Sequence, residues 1–194
     1  MKHFNTINEG AEILGKANTP QWVEILIEKL KVAFCEEMQA WYGYIITNKF
    51  LTGGERKEIA DTYEDNAKDE YEDHAMWILE RLNQLDATID DISSPEDWKT
   101  LTVKHPYIRP VFPIIDEKED KTKIYSYNNL SQQINAEMNA IETYQDLIEF
   151  TEGKDPVTHR KCKEILEDEQ SHYQSLLEFQ DDMQTTMTMQ KKQY

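Results

Sequence analysis

Residues 37–44 read Glu37-Met38-Gln39-Ala40-Trp41-Tyr42-Gly43-Tyr44, and one hundred positions later the chain reads Glu137-Met138-Asn139-Ala140-Ile141-Glu142-Thr143-Tyr144. The shared frame is Glu-x-x-Ala-x-x-x-Tyr. Read outward at alternating steps of three and four, the first copy belongs to the seam Ile27, Leu30, Phe34, Glu37, Trp41, Tyr44. The second belongs to Leu130, Ile134, Glu137, Ile141, Tyr144, Ile148. Such spacing is the apolar stripe of an amphipathic helix, and each stripe carries one acid in its middle. A third seam, Cys162, Ile165, Glu169, His172, Leu176, Phe179, holds an acid and a histidine together.

An ionised carboxylate in a dry core costs several kcal/mol unless it is paired or bound to a cation. A shifted helical phase, or a lysine partner, would account for any one of these glutamates. Three at mid-helix call for a common cause, and no Lys or Arg stands in the middle of these seams. A metal ion supplies one. His74 and His172 recur at nearly the same interval as the two glutamates, so a glutamate helix and a histidine helix repeat together as a duplicated hairpin. A site with approximate twofold symmetry follows, taking one glutamate and one acid-plus-histidine helix from each half.

The rest of the chain places four helices around that site. Thr19-Pro20 offers an N-cap and a proline at the first helical position, so the first helix is expected over about 20–51, after a short amphipathic lead-in around Ile7 to Leu14. Thr52-Gly53-Gly54 stops it, and the second helix runs over about 55–85. Pro95, Pro106, Pro110 and Pro113 forbid a long helix over 86–124 and leave room for a short one near Ser94 to Leu101. The third helix is expected over about 126–152, ending at Gly153, and the fourth, capped by Asp155-Pro156, over about 155–180, with 181–194 as a loosely ordered tail. Two short connections and one long one give an all-α four-helix bundle, a single domain over 1–194, with a crossover between the second and third helices.

Composition narrows the partners. A formal net charge of −17 repels phosphate backbones and gathers cations, so nucleic acid is an unsuitable partner. Cys35 and Cys162 form no C-x-x-C pair and read as reduced, buried thiols. No run of apolar residues is long enough to span a bilayer and no signal-peptide core follows Met1, so a soluble cytoplasmic protein is expected.

Glu37 with Tyr44, Glu137 with Tyr144, and the Glu169-x-x-His172 motif stand in an order and spacing that resembles the ferritin-like di-iron superfamily, over about Gln21 to Gln180. Glu37-Met38-Gln39-Ala40-Trp41-Tyr42, Ile165-Leu166-Glu167-Asp168-Glu169 and the proline-rich crossover look closest to its Dps-like branch, which shares a bacterioferritin-type site. The second helix departs from the pattern: in Asp69-Glu70-Tyr71-Glu72-Asp73-His74, Tyr71 stands where the family glutamate would precede histidine by three. Glu70 lies on nearly the same helical face as His74, and a local π-bulge would absorb the extra residue; the rival register pairs Glu70 with Asp73.

The resemblance implies a fold and a chemistry. The fold is the ferritin-like bundle with its long crossover. The metal ligands would be Glu37, Glu70, His74, Glu137, Glu169 and His172, with Glu70 and Glu137 bridging two Fe ions per chain and Mn or Zn as substitutes. Tyr44 and Tyr144 would bond ligands or lend an electron, unless they are only core tyrosines. The activity would be a ferroxidase using hydrogen peroxide or dioxygen, storing ferric mineral in a homo-oligomeric cage, a dodecamer in the Dps-like branch, and protecting against oxidative stress. Met76 is out of position for a haem ligand, no four-cysteine iron site is present, and Lys191-Lys192 is a weak basic pair, so haem, a rubrerythrin-type relay and DNA binding are not expected. Some Dps-like members carry a cysteine pair beside the metals; a thiol role for Cys35 and Cys162 stays open. Two rival functions remain: a di-metal oxidase or oxygenase without a cage, and a metal-free structural bundle.

Overall fold

The computed structural model describes residues 19–51, 56–88 and 124–191. The lead-in around Ile7 to Leu14, the Thr52-Gly53-Gly54 turn and the short helix expected near Ser94 to Leu101 lie outside them. The first helix, α1, is Pro20–Phe50. The second is a continuous rod in three parts: α2 (Arg56–Lys68), a π-helical stretch (Asp69–Ala75) and α3 (Met76–Gln84). The third and fourth are α4 (Ile124–Thr151) and α5 (Pro156–Lys191). They form an all-helical four-helix bundle with the long connection between its second and third helices.

Local chemistry sets the ends. Thr19 accepts the N–H of Trp22 at 3.2 Å while Pro20 occupies the first turn. Asp155 accepts the N–H groups of Val157 and Thr158 and starts α5. Gly153, at φ +68°, ends α4 in the left-handed conformation that glycine adopts without strain. Past Gln180, where a loose tail is expected, α5 continues to Lys191. Met183 extends the Leu176 and Phe179 stripe by one more turn and is buried against one end of the core.

That core has two parts. Leu26, Leu30, Phe34, Ile78, Leu82, Leu147 and Ile165 pack at the end holding the start of α1. Leu51, Ile59, Tyr63, Leu130, Ile134 and Leu176 pack at the opposite end. Hydrogen bonds across the bundle show the chain directions. Arg81 near the end of the second helix bonds Asp155 and Thr158 at the start of the fourth, and Asn66 near the start of the second bonds Tyr44 near the end of the first. Between the two apolar ends lies the layer that holds the acids. Among the described residues no helix is long and apolar enough to cross a membrane.

Arg81 and Asp155 form a buried ion pair at 2.8 Å, and the same aspartate caps α5, so one side chain ties the second helix to the fourth. Removing one partner leaves a buried, unpaired charge. Asp155→Ala is expected to lower stability by about 3–5 kcal/mol, read from the urea unfolding midpoint.

Candidate metal centre

Asn66, Glu70, His74, Ile78 and Leu82 are all buried along the second helix, each four residues after the last. In an α-helix a step of four overshoots one turn by about 40°, so four such steps would carry the stripe about 160° around the helix. The π-helical stretch Asp69–Ala75 has more residues per turn and cancels that drift. Glu70 and His74 thereby both face inward, with His74 Nδ1 3.2 Å from Glu70 Oε2. Asp73 of the rival register lies outside, its carboxylate 2.7 Å from Lys161. Tyr71 also points outward, against Trp41 at 5.3 Å between ring centroids. In the fourth helix Cys162, Ile165, Glu169, His172 and Leu176 alternate steps of three and four, so an ordinary α-helix suffices.

Six side chains from the four helices meet in one layer, all of them buried. They form two overlapping groups whose ligand-type atoms lie within 4.8 Å of one another: Glu37, Glu70, His74 and Glu169, and Glu70, Glu137, Glu169 and His172. Glu70 and Glu169 belong to both. This corrects the expectation that Glu70 and Glu137 would be the shared pair: Glu137 enters only the second group, beside His172, as Glu37 enters only the first, beside His74. The reason is topological, since the shared acids come from the two histidine helices and the single ones from the two glutamate helices. His74 Nδ1 stands 3.1 Å from Glu169, 3.2 Å from Glu70 and 3.4 Å from Glu37. His172 Nδ1 stands 3.3 Å from Glu70 and 3.9 Å from Glu137.

The two tyrosines cross between halves. Tyr44 donates its hydroxyl to Glu137, and Tyr144 donates to Glu37, so each half of the duplication orients the acid of the other. Two further acids were not singled out from sequence. Asp168 accepts from His74 Nε2 and Asp69 from His172 Nε2, both at 3.4 Å. Each directly precedes a shared glutamate, in Asp69-Glu70 and Asp168-Glu169, and that repeat was the available signal. An outer carboxylate on one ring nitrogen leaves the other directed at the centre, the arrangement that orients histidine ligands of metals.

A model of the ferritin-like domain matches residues 27–186. The chain belongs to the ferritin-like family. Among solved structures, this ferritin-like chain is similar to a dodecameric thioferritin, the bacterioferritin-related protein from Bacteroides fragilis, with 27% identity, TM-score 0.72, and 96% of this chain and 98% of that one covered. It also shares its fold with a ferritin-like, diiron-carboxylate protein from Bacillus anthracis str. Ames, at 19% identity and TM-score 0.62, covering 82% and 97% of the two chains. No curated protein sequence matches significantly.

The donor set of this ferritin-like centre fits two cations. Glu37 Oε2, Glu70 Oε1, both carboxylate oxygens of Glu169 and His172 Nδ1 are buried, and among the described residues they meet only the acids of this layer and the rings of His74 and His172, without a well-aligned hydrogen bond. None of the ion pairs made by the six residues involves Lys or Arg among the described residues, and the buried Lys31 and Arg81 pair with Glu28 and Asp155. Without metal, protons must serve instead. Burial, and then the charge of Glu70, push Glu37 up to about 8. Burial and Glu169 likewise raise Glu137 well above the ordinary range. Burial alone would lower His172, but the carboxylate of Glu70 outweighs it and brings the ring to about 9. His74 is raised further: burial opposes it, and Glu169, Glu37 and Glu70 prevail. Glu70 goes down, because burial and Glu169 are overcome by the rings of both histidines beside it. Cys35 and Cys162 are buried and form no disulfide, and burial pushes Cys162 up to about 12, far from a thiolate at neutral pH.

These directions fix the pH response of the metal-free protein. The fold keeps protons on Glu37 and His172 up to about 8 and 9, whereas the unfolded chain releases them near 4.5 and 6.5. Folding therefore takes up protons over that window, and stability falls as pH rises through it. Chelator-treated protein is expected to show a thermal midpoint that decreases from about pH 5 to pH 9, followed by circular dichroism; a midpoint that rises across the window would contradict this assignment.

Proposed function

We propose that this chain is a ferroxidase: it oxidises Fe(II) with hydrogen peroxide or dioxygen, and copies of it assemble into a cage that retains the ferric product. The observation that carries the reading is the pair of four-residue groups sharing Glu70 and Glu169, which suits two cations held side by side rather than one. Glu37 and His74 would complete one position, Glu137 and His172 the other. Four carboxylates and two imidazoles are donors suited to iron, and four negative charges balance two divalent ions.

Two Fe(II) ions give up one electron each, and that pair cleaves the O–O bond of one hydrogen peroxide, which takes up two protons and leaves as two waters. The chain's own residues prepare the site for this. Tyr44 and Tyr144 hold Glu137 and Glu37 in place, and Asp168 and Asp69 fix the ring orientation of His74 and His172. Since burial disfavours charge on Glu37 and Glu137, Fe(II) arriving there displaces protons, and affinity rises with pH. The net charge of −17 favours accumulation of cations near the protein. The homo-oligomer is supported by the dodecameric assembly of the Bacteroides fragilis thioferritin. A metal-free structural bundle is disfavoured by the cost of burying four glutamates with only two histidine rings beside them.

Anaerobic titration of the metal-free protein with Fe(II) is expected to show two tight ions per chain, and none would overturn the proposal. Glu169→Ala should lose both ions and Glu137→Ala only one, because only the first residue serves both groups. Asp168→Asn should weaken binding by about 10- to 100-fold while leaving helicity intact, as loss of an outer-shell carboxylate does elsewhere.

A further inference from the structure

The duplication that builds the centre repeats its ligands and not its surroundings. In sequence the first helix aligns with the third at the interval that relates Glu37 to Glu137, and the second with the fourth at the interval that relates Glu70 to Glu169. By that correspondence Thr47 matches Leu147, Tyr63 matches Cys162, Asn66 matches Ile165 and Gln133 matches Ala33. All eight are buried. One end of the bundle next to the centre is therefore lined by hydroxyls and amides, and the other by a leucine, an isoleucine, an alanine and a protonated thiol.

At the polar end a hydrogen-bond chain runs inward: Asn66 Nδ2 donates to the Tyr44 hydroxyl at 3.2 Å, and Tyr44 donates to Glu137. Gln133 stands one turn before Glu137 on the same face of α4, a separation that brings side chains about 5–6 Å apart. It is wholly buried, and neither its Nε2 nor its Oε1 has a hydrogen-bond partner among the described residues. An amide with both ends unpaired in a core is costly and rarely kept unless something outside the protein meets it. Its matched position, Ala33, shows that a small apolar residue packs beside the other single glutamate without difficulty.

We propose that Gln133 forms a subsite for one small, neutral, hydroxylic molecule at the polar end of the centre, water at rest and hydrogen peroxide during turnover. The amide offers donor and acceptor together, which suits a molecule that is both. A cation would be drawn past it to the carboxylates, an anion would be repelled by four of them, and dioxygen makes no strong hydrogen bond and gains nothing from an amide. The subsite stands on the orphaned amide alone; its use by peroxide rests on the ferroxidase reading.

The test is a high-resolution crystal structure of the metal-free full chain, beside Gln133→Leu, which keeps the volume and removes the hydrogen bonding. The expected result is an ordered water on the Gln133 amide that is absent from the variant. Gln133→Leu should still bind two Fe(II) per chain, while the peroxide concentration giving half-maximal iron oxidation rises about tenfold, the effect of one lost buried hydrogen bond. A dry Gln133 side chain overturns the subsite. An ordered water with unchanged peroxide dependence in the variant overturns its use by the oxidant. If the protein oxidises no iron at all, the proposed function falls, and the crystallographic result still decides whether the subsite exists.

Discussion

Four glutamates share one buried layer with no Lys or Arg among the described residues to offset their charge, only the rings of His74 and His172, and the rest of the molecule is arranged around that repulsion. In a medium of low polarity such a set holds together only with protons or metal ions between its members. The two states make opposite demands on pH, since the protonated layer is favoured in acid and the metal-bound layer in base. Two apolar cores, one at each end, supply the burial that keeps the four helices closed over a layer that opposes closure by itself. The Arg81–Asp155 pair reinforces this at one end by fastening the second helix to the cap of the fourth.

Symmetry within the layer is close, and the departures from it carry information. The second helix needs a π-helical stretch to aim Glu70 and His74 inward, while the fourth aims Glu169 and His172 with an ordinary α-helix. A π-helical stretch makes weaker main-chain hydrogen bonds and is kept where function requires a side chain in that direction. The crossed tyrosine bonds couple the halves, so the position of each single glutamate depends on the other hairpin being folded. The polar lining beside Glu137 and the apolar lining beside Glu37 then give the two candidate groups like donors and unlike surroundings.

The fold was legible because its signals are local and repeated. Three- and four-residue spacing marked the helices, Thr19-Pro20 and Asp155-Pro156 marked two starts, and one long proline-rich segment between two short turns set the connectivity. The end of the fourth helix was not legible, because past Met183 the residues are mostly polar and no apolar stripe marks the continuation to Lys191. Glu37, Glu137, Glu169 and His172 were also legible, as acids and a histidine standing where apolar side chains belong, whereas Glu70 and His74 were reached through the repeat and the resemblance with their register open. Asp69 and Asp168 were hidden among many surface acids, although each directly precedes a shared glutamate.

By itself the sequence determined that this protein is a four-helix bundle with a duplicated acid and histidine layer, because helical periodicity turns residue spacing directly into a shared face. Which acids serve both groups, which nitrogen of each histidine faces the centre, and which tyrosine holds which glutamate were decided only in the tertiary structure. Those are relations between helices, and spacing along one helix carries no measure of the distance to another. The register of the second helix lies between these cases: the sequence allowed either Asp73 or His74 beside Glu70, and packing of Asn66, Ile78 and Leu82 on one buried stripe selected His74.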